Sequence, residues 1–506
     1  MNHWILLSSL VFVPVLAGII SQVFDSKVKS LVVSITGVFI AAICGSVAIW
    51  LTFTQGPIFG LSNWLFLDEL SAYNLSIMLI IFTLSSIYSF RYFGEELKEN
   101  ALSLVQIQTF AGLWAPALGA MTLVLISNNL GIMWVGMEAT TLLTSFLICV
   151  HLTRGSLEAM WKYMLICSVG IAFAFLGTLM IRLAAKDLPL DPNQALLWTN
   201  LMAHTAALTP TLVKGAFIFI MVGYGTKAGL APMHSWLPDA HSKAPAPVSA
   251  VFSGFMLNTA LYCVIRYIPI VEATMGHTGW TLKLMTGFGL LSILIASPFI
   301  LYQHDLKRLL AYCSVEQLGI ITLGFGLGGY GTIAALFQTF NHSLCKTLAF
   351  FAAGRLGQIF GSHEMKRMAG CLKVSPIWGT AIFATILALI GVAPFCLFMS
   401  EFQILKAAVD SGQYLVAILF LIGTGTIFIG ALGHLLPLVW GKPEEPIESI
   451  STNWIDVLLV VAPLFVLLLL GIWIPGFLQT ALTKAAAIVQ NTNPIGITTS
   501  ITGGKL

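Results

Sequence analysis

Apolar residues run through this chain in long blocks separated by short polar stretches. Fourteen blocks can be marked, at about 4–22, 30–53, 67–90, 104–126, 129–150, 160–183, 211–229, 246–268, 282–302, 309–328, 331–354, 376–406, 412–440 and 454–480. Each is close to the roughly 20 apolar residues that a helix needs to cross a bilayer. The longest polar connection falls at about 185–210. The pattern predicts an all-α integral membrane protein of about 14 transmembrane helices, a single domain over 1–506 without an extramembrane module. The first block, Trp4 to about Ile20, has no basic flank before it and is expected to be a retained helix rather than a cleaved leader.

Composition fits this picture. Of 506 residues, 58% are hydrophobic and 9% charged, against about 25% charged in soluble domains. Membrane lipid is therefore the expected solvent. A net charge of +3 gives no footprint for nucleic acid. The eight cysteines lack the paired spacing of zinc or iron–sulfur sites. The run Gly324-Phe-Gly-Leu-Gly-Gly329 matches a dinucleotide-binding string but follows no strand, and is expected to be a tight turn between two helices. No cofactor is expected in this chain. Lys and Arg divide thirteen to eight in favour of the side holding the first loop. The positive-inside rule then puts both termini outside, with Arg266 and Lys505 among the outer charges.

Two blocks contain helix breakers. The seventh runs into Lys227-Ala-Gly-Leu-Ala-Pro-Met-His-Ser-Trp-Leu-Pro-Asp239, and the twelfth contains Leu389-Ile-Gly-Val-Ala-Pro-Phe-Cys-Leu-Phe-Met-Ser-Glu401. Proline removes a backbone donor and clashes with the preceding turn. The freed carbonyls must then face protein or water. In both segments an acid, Asp239 or Glu401, follows the Ala-Pro proline by seven residues. Paired broken helices are the pointer to a transporter built from inverted repeats.

Of the ionisable residues inside the blocks, four carry the reading: Glu138 in the fifth, Lys227 in the seventh, Lys346 in the eleventh and Glu401 in the twelfth. His342 lies one helical turn before Lys346, on the same face. A charge at mid-bilayer costs several kcal/mol unless paired or hydrated. Such groups either hold helices in register as ion pairs or act as titratable stations for protons. With two of the four beside broken helices, a proton path is the expected reading. Secondary candidates are Lys162, which either reaches the interface or pairs with Glu138; His234 and His241, for gating or loop capping; Asp239; and Glu316 with Gln317 inside the tenth block. Asp305, Lys307 and Arg308 are expected to anchor the mouth of the tenth helix.

The stretch Pro232-Met-His-Ser-Trp-Leu-Pro-Asp-Ala-His-Ser-Lys-Ala-Pro-Ala-Pro247 resembles the motif of the antiporter-like membrane subunits of respiratory complex I, which are related to Mrp-type sodium/proton antiporters. Asp305 to Gly319 and Asn341-His-Ser-Leu-Cys-Lys346 extend the likeness over nearly the whole chain. Asn128 to Glu138 and Glu158 to Gly170 are most similar to component F of hydrogenase-4, of formate hydrogenlyase type. The resemblance implies two inverted five-helix repeats, about 104–268 and 282–440, with helices 7 and 12 broken. It implies a proton relay through Glu138, Lys227, Lys346 and Glu401. It also implies a bacterial or archaeal inner membrane, other membrane subunits and a peripheral redox module as partners, and protons, or sodium, as the ion. Alternatives are a complex I or Mrp-type subunit, or a passive anchor for a soluble redox enzyme. Relatives often carry a Lys or His in helix 8, where this chain has Asn258 and Ser253, so the middle of the implied relay is polar but not titratable.

Overall fold

The polar residues between the apolar blocks start the helices. Ser26, Asn129 and Asp305 each turn a side-chain oxygen onto free amides of the first turn, and Ser103 and Gln106 cap each other reciprocally. The computed structural model describes residues 3–98, 101–442 and 452–492; Lys505 lies outside them.

The first half of the chain forms α1 (His3–Ser21), α2 (Lys27–Gln55), α3 (Glu69–Lys98), α4 (Leu104–Ile126), α5 (Leu130–Ile148), α6 (Arg154–Ala184), a short α7 (Trp198–Ala203), α8 (Pro210–Ala228), α9 (Trp236–Lys243), α10 (Ala246–Val251) and α11 (Leu257–Thr274). The second half forms α12 (Trp280–Leu301), α13 (Leu306–Leu327), α14 (Tyr330–Phe360), a one-turn α15 (Cys371–Val374), α16 (Pro376–Leu389), α17 (Cys396–Asp410), α18 (Tyr414–Trp440), α19 (Trp454–Ile472) and α20 (Gly476–Gln490). A small antiparallel hairpin, β1 (Ile58–Gly60) and β2 (Leu65–Leu67), closes the loop between α2 and α3; no alternating pattern in the sequence announced it.

Twelve helices among the described residues are long and apolar enough to cross a membrane. The expected eleventh and twelfth crossings fall short of that test. One is α14, diluted by Gln338, Asn341, His342 and Lys346; the other is split into α16 and α17. The fourteenth block is also two helices, parting near Pro475. The span Ala246–Thr274 and α13 are buried along their whole apolar windows, whereas α2, α6, α18 and α19 leave about two thirds of theirs open. Trp50, Leu165, Ile429 and Phe465 stand exposed there. Helices apolar on every side are what a bundle facing lipid requires. The chain is a multi-pass membrane protein.

Two expectations change. Gly324 and Gly326 lie inside α13, and only Gly328 and Gly329 make the turn, with φ of 67° and 49°. Arg266 is not a loop charge. It is buried in α11, and its guanidinium donates to both oxygens of Asp68 at 2.5 and 2.6 Å, to the Tyr262 hydroxyl at 2.7 Å and to Ser71 at 2.5 Å. Asp68 gives it a buried anion, so the arginine need not reach water.

Candidate functional site

α8 stops where Gly229 takes a φ of 76°. The chain passes Pro232 and a single turn, Met233–Ser235, before α9 begins. Side chains take up the backbone groups around the break. The Trp236 indole donates to the Thr226 carbonyl at 2.9 Å, and the Ala231 amide donates to Ser292 Oγ at 3.0 Å. Lys227, in the last turn of α8, is fully buried. Its ammonium donates to Thr141 Oγ1 at 3.0 Å and to the Tyr163 hydroxyl, and lies 4.4 Å from the Tyr163 ring centroid. Thr144 donates to the Thr140 carbonyl, so the Tyr163 hydroxyl donates in turn to Thr144 Oγ1 at 2.6 Å. Glu138, partly exposed, sits one turn before Thr141 and accepts from Ser168 at 2.9 Å. Its other oxygen is buried without a partner.

The second break has the same logic with different residues. Gly391 (φ 71°) and Pro394 separate α16 from α17. The Gln317 amide donates to the Leu389 carbonyl at 3.2 Å, and the Asn341 amide to the Cys396 carbonyl at 3.0 Å. Glu401, in the second turn of α17, accepts from Gln317 at 3.0 Å and from Gln338 at 3.4 Å. Gln338 also bonds Gln317 and Ser400, and Asn341 donates to Ser400 at 2.9 Å. A Cβ on Gly391 would come within 2.6 Å of Glu401 Oε2, so the break itself forms one wall of the carboxylate pocket. Glu316 shares the Gln317 amide at 3.3 Å, which brings this secondary candidate into the Glu401 cluster.

Between the two breaks lies a row along α14. Lys346 is fully buried and donates to the Leu310 carbonyl at 2.6 Å. One turn before it, His342 is buried with neither ring nitrogen bonded. One turn after it, Phe350 stacks on the His241 ring, centroids 5.1 Å apart and planes 19° apart, and both His241 nitrogens are also unbonded. That ring lies in the core and caps no loop. Among the described residues neither Lys227 nor Lys346 forms an ion pair; both are held by neutral acceptors.

The untitratable middle is a built junction. A π-helical turn, Phe252–Met256, joins α10 to α11, the kind of irregularity that tends to mark functional positions. Ser253 meets Ser314 of α13 at 2.7 Å, and Asn258 donates to Ser343 of α14 at 3.0 Å.

Lys162 neither reaches out alone nor meets Glu138. Its ammonium bonds Asp239 at 2.5 Å, and Arg308 holds the other Asp239 oxygen at 3.0 Å. These three partly exposed side chains join α6, α9 and α13. Asp239 and Glu401 share a spacing from proline but not an environment: one sits among cations, the other among amides. His234 lies edge-on to Phe299 and Tyr312, 6.3 Å from each, with Nδ1 unbonded. Lys307 is buried and donates to the Ala244 carbonyl at 2.5 Å, tying α13 to the end of α9.

The sequence reading missed Tyr163, Thr141, Gln338 and Ser400, and named Gln317 only beside Glu316. One signal was available: Gln338, His342 and Lys346 recur every four residues, a polar stripe on a membrane helix.

Two interrupted helices, each with an ionisable side chain beside its break held by neutral partners, define a membrane transport protein of the discontinuous-helix kind. The chain belongs to the NADH:quinone oxidoreductase/Mrp antiporter transmembrane family, whose profile matches residues 127–428, more than half its length. It is 37% identical over 392 residues to the hydrogenase-4 component F homolog of Methylacidiphilum infernorum, covering 77% of this chain and 82% of that protein. In fold it is similar to a chain of the archaeal membrane-bound sulfane sulfur reductase, a respiratory membrane complex (TM-score 0.85, 22% identity, 98% and 99% of the two chains). It is likewise similar to a chain of the Mrp complex from Dietzia sp. DQ12-45-1b (TM-score 0.83, 20% identity, 98% and 99%).

Proposed function

We propose that this chain translocates protons as a membrane subunit of a redox-driven complex of hydrogenase-4 type. The path runs through Glu138, Lys227, Lys346 with His342, and Glu401, across two inverted repeats. The observation that carries the reading is the pair of fully buried lysines bonded only to hydroxyls, a ring face and a carbonyl. An ammonium fixed in an ion pair would serve to hold helices together; one held by neutral acceptors can give up its proton without leaving a buried anion behind. Ser253, Ser314, Asn258 and Ser343 bridge the middle by orienting water rather than by titrating. A peripheral redox module and further membrane subunits supply the driving reaction, and the membrane is a prokaryotic inner membrane with both termini outside. Kinship with the component F homolog supports the hydrogenase-4 setting over a complex I or Mrp one.

The test is proton flux in proteoliposomes holding the assembled complex, with Lys227→Ala and Glu401→Gln. Each substitution is expected to reduce flux by at least about tenfold, the loss of one interaction worth ~1.4 kcal/mol. Undiminished flux in both would leave the chain a passive anchor. Flux that follows a sodium gradient rather than a pH gradient would name the other ion.

A further inference from the structure

A cavity of about 1290 Å³ lies away from the polar interior, between α2, α3, α19 and α20. Its walls carry Trp50, Leu79, Phe340, Leu470, Trp473 and Ala481. Along α2 it reaches from Ala42 to Phe53, about 16 Å of helix at 1.5 Å per residue. That is the depth of one leaflet of a hydrocarbon layer roughly 30 Å thick. At the Phe53 end stands Lys484, its ammonium 3.5 Å from the Phe53 carbonyl and 3.7 Å from Glu69 Oε1. Lys484 also lines a second cavity of about 290 Å³, with Glu69, Trp198, Asn491 and Thr492. An apolar chamber one leaflet deep thus meets, at a shared cation, a small chamber that holds a cation, an anion, an amide and a hydroxyl.

We propose that the two cavities hold one glycerophospholipid with a primary-amine headgroup, of the phosphatidylethanolamine type. Its acyl chains fill the apolar chamber, its phosphate meets Lys484 and its ammonium meets Glu69. The paired charges decide the headgroup. An anionic lipid would satisfy Lys484 but crowd Glu69 with like charge, and a quaternary amine has no N–H to donate to the carboxylate. The walls decide against a partner's helix. Helix contacts in membranes favour small residues that let backbones approach; Ala42, Ser46 and Ser76 line part of this chamber, but bulky apolar side chains such as Trp50, Phe340 and Trp473 form the greater part of its wall and suit flexible chains. A helix would also leave the charged chamber unfilled.

The experiment uses the full chain, isolated from native membranes in mild detergent with the subunits that co-purify. Native mass spectrometry and lipid extraction count what remains bound. One phosphatidylethanolamine per chain is expected to survive washing. Lys484→Ala and Ala481→Trp are each expected to lower that occupancy by about tenfold, the order of one charge-assisted hydrogen bond or one filled cavity. Glu69→Gln is expected to let phosphatidylglycerol compete equally. A photo-crosslinking residue at Phe477 is expected to give a lipid adduct. The proposal is overturned by a wild-type chain that retains no lipid or prefers phosphatidylglycerol, by unchanged occupancy in Lys484→Ala, or by a crosslink to any polypeptide. If Ala481→Trp does not fold, Lys484→Ala and the crosslink decide.

Discussion

Removing the carboxylate of Asp68 perturbs the most completely buried ion pair in the structure. Asp68 and Arg266 expose 3% and 6% of their side chains and lie 198 residues apart in sequence. Asp68→Asn keeps the shape and an oxygen able to cap α3, where Asp68 Oδ1 accepts the Ser71 amide at 2.9 Å. It puts an N–H at the Oδ2 position, where Arg266 Nη1 needs an acceptor, and leaves the guanidinium with Oδ1, Tyr262 and Ser71 but no countercharge. Breaking one side of a buried pair costs about 3–5 kcal/mol. Asp68→Ala loses the cap as well and should cost about 1 kcal/mol more. Arg266→Leu strands the carboxylate, but the double substitution Asp68→Asn, Arg266→Leu removes both charges and should recover most of the loss. The coupling energy should therefore exceed about 2 kcal/mol, well above the ~0.5 kcal/mol scatter of independent sites. The assay is unfolding in detergent micelles titrated with sodium dodecyl sulfate, followed by helical circular dichroism. Additive single effects would refute the reasoning, since they would mean that neither charge depends on the other.

Tyr163→Phe removes an acceptor of the Lys227 ammonium; a bond to a charged group is worth about 1.5–3 kcal/mol, so proton flux in assembled proteoliposomes should fall about tenfold with helical content unchanged. Gly391→Ala forces a side chain into a left-handed backbone at φ 71° and against Glu401; it should lower stability by about 1–3 kcal/mol and reduce flux to the level of Glu401→Gln. His363, in the loop after α14, has its pKa held down to about 3 by burial and by Lys307 and Lys243. It is neutral when folded and takes a proton when unfolded below its ordinary value of 6.5, so its contribution to stability should be flat above pH 6.5 and fall by up to about 1.4 kcal/mol per unit toward pH 3. His363→Gln should flatten that slope in detergent melting curves, and an unchanged slope would assign acid sensitivity to other groups.

Both helix breaks were legible because each sets a glycine three residues before a proline, Gly229 with Pro232 and Gly391 with Pro394, whereas single prolines such as Pro116 and Pro298 stay inside their helices. The buried lysines were legible because an apolar run offers a charge no exit. What the sequence could not show is which partner each charge chooses. Lys162 and Glu138 lie on consecutive helices, yet Lys162 turns to Asp239, 77 residues on. Arg266 falls near the end of an apolar block and counts as a loop charge until Asp68 is found beside it. The hairpin Ile58–Leu67 escaped because three residues per strand are too few for a period-two pattern to stand out.

Two glutamines tie the second break to its acid. Gln317 and Gln338 come from α13 and α14, yet both donate to the Glu401 carboxylate of α17, and Gln317 also holds the carbonyl where α16 stops. One amide thus binds the break and the acid together. At the first break the duties are separate: Trp236 takes the Thr226 carbonyl, while Tyr163 and Thr141 take the Lys227 ammonium. A shift of α17 relative to α16 would therefore be felt at Glu401 through a hydrogen bond from Gln317, whereas the first break reaches Lys227 through ring packing, Trp236 lying 4.9 Å from Tyr163. On the proposed path this makes the Glu401 end a place where movement of a broken helix directly alters the hydrogen bonds of a proton-carrying group. The Lys227 end is coupled to its break by packing rather than by one shared amide. The neutral junction at Ser253 and Asn258 lies between them, bonded to α13 and α14, the two helices that carry the glutamines. On the proposed path, a rearrangement at Glu401 that moves α13 against α14 would also strain the Ser253–Ser314 and Asn258–Ser343 bonds, so the middle and the end of the path would answer to the same pair of helices.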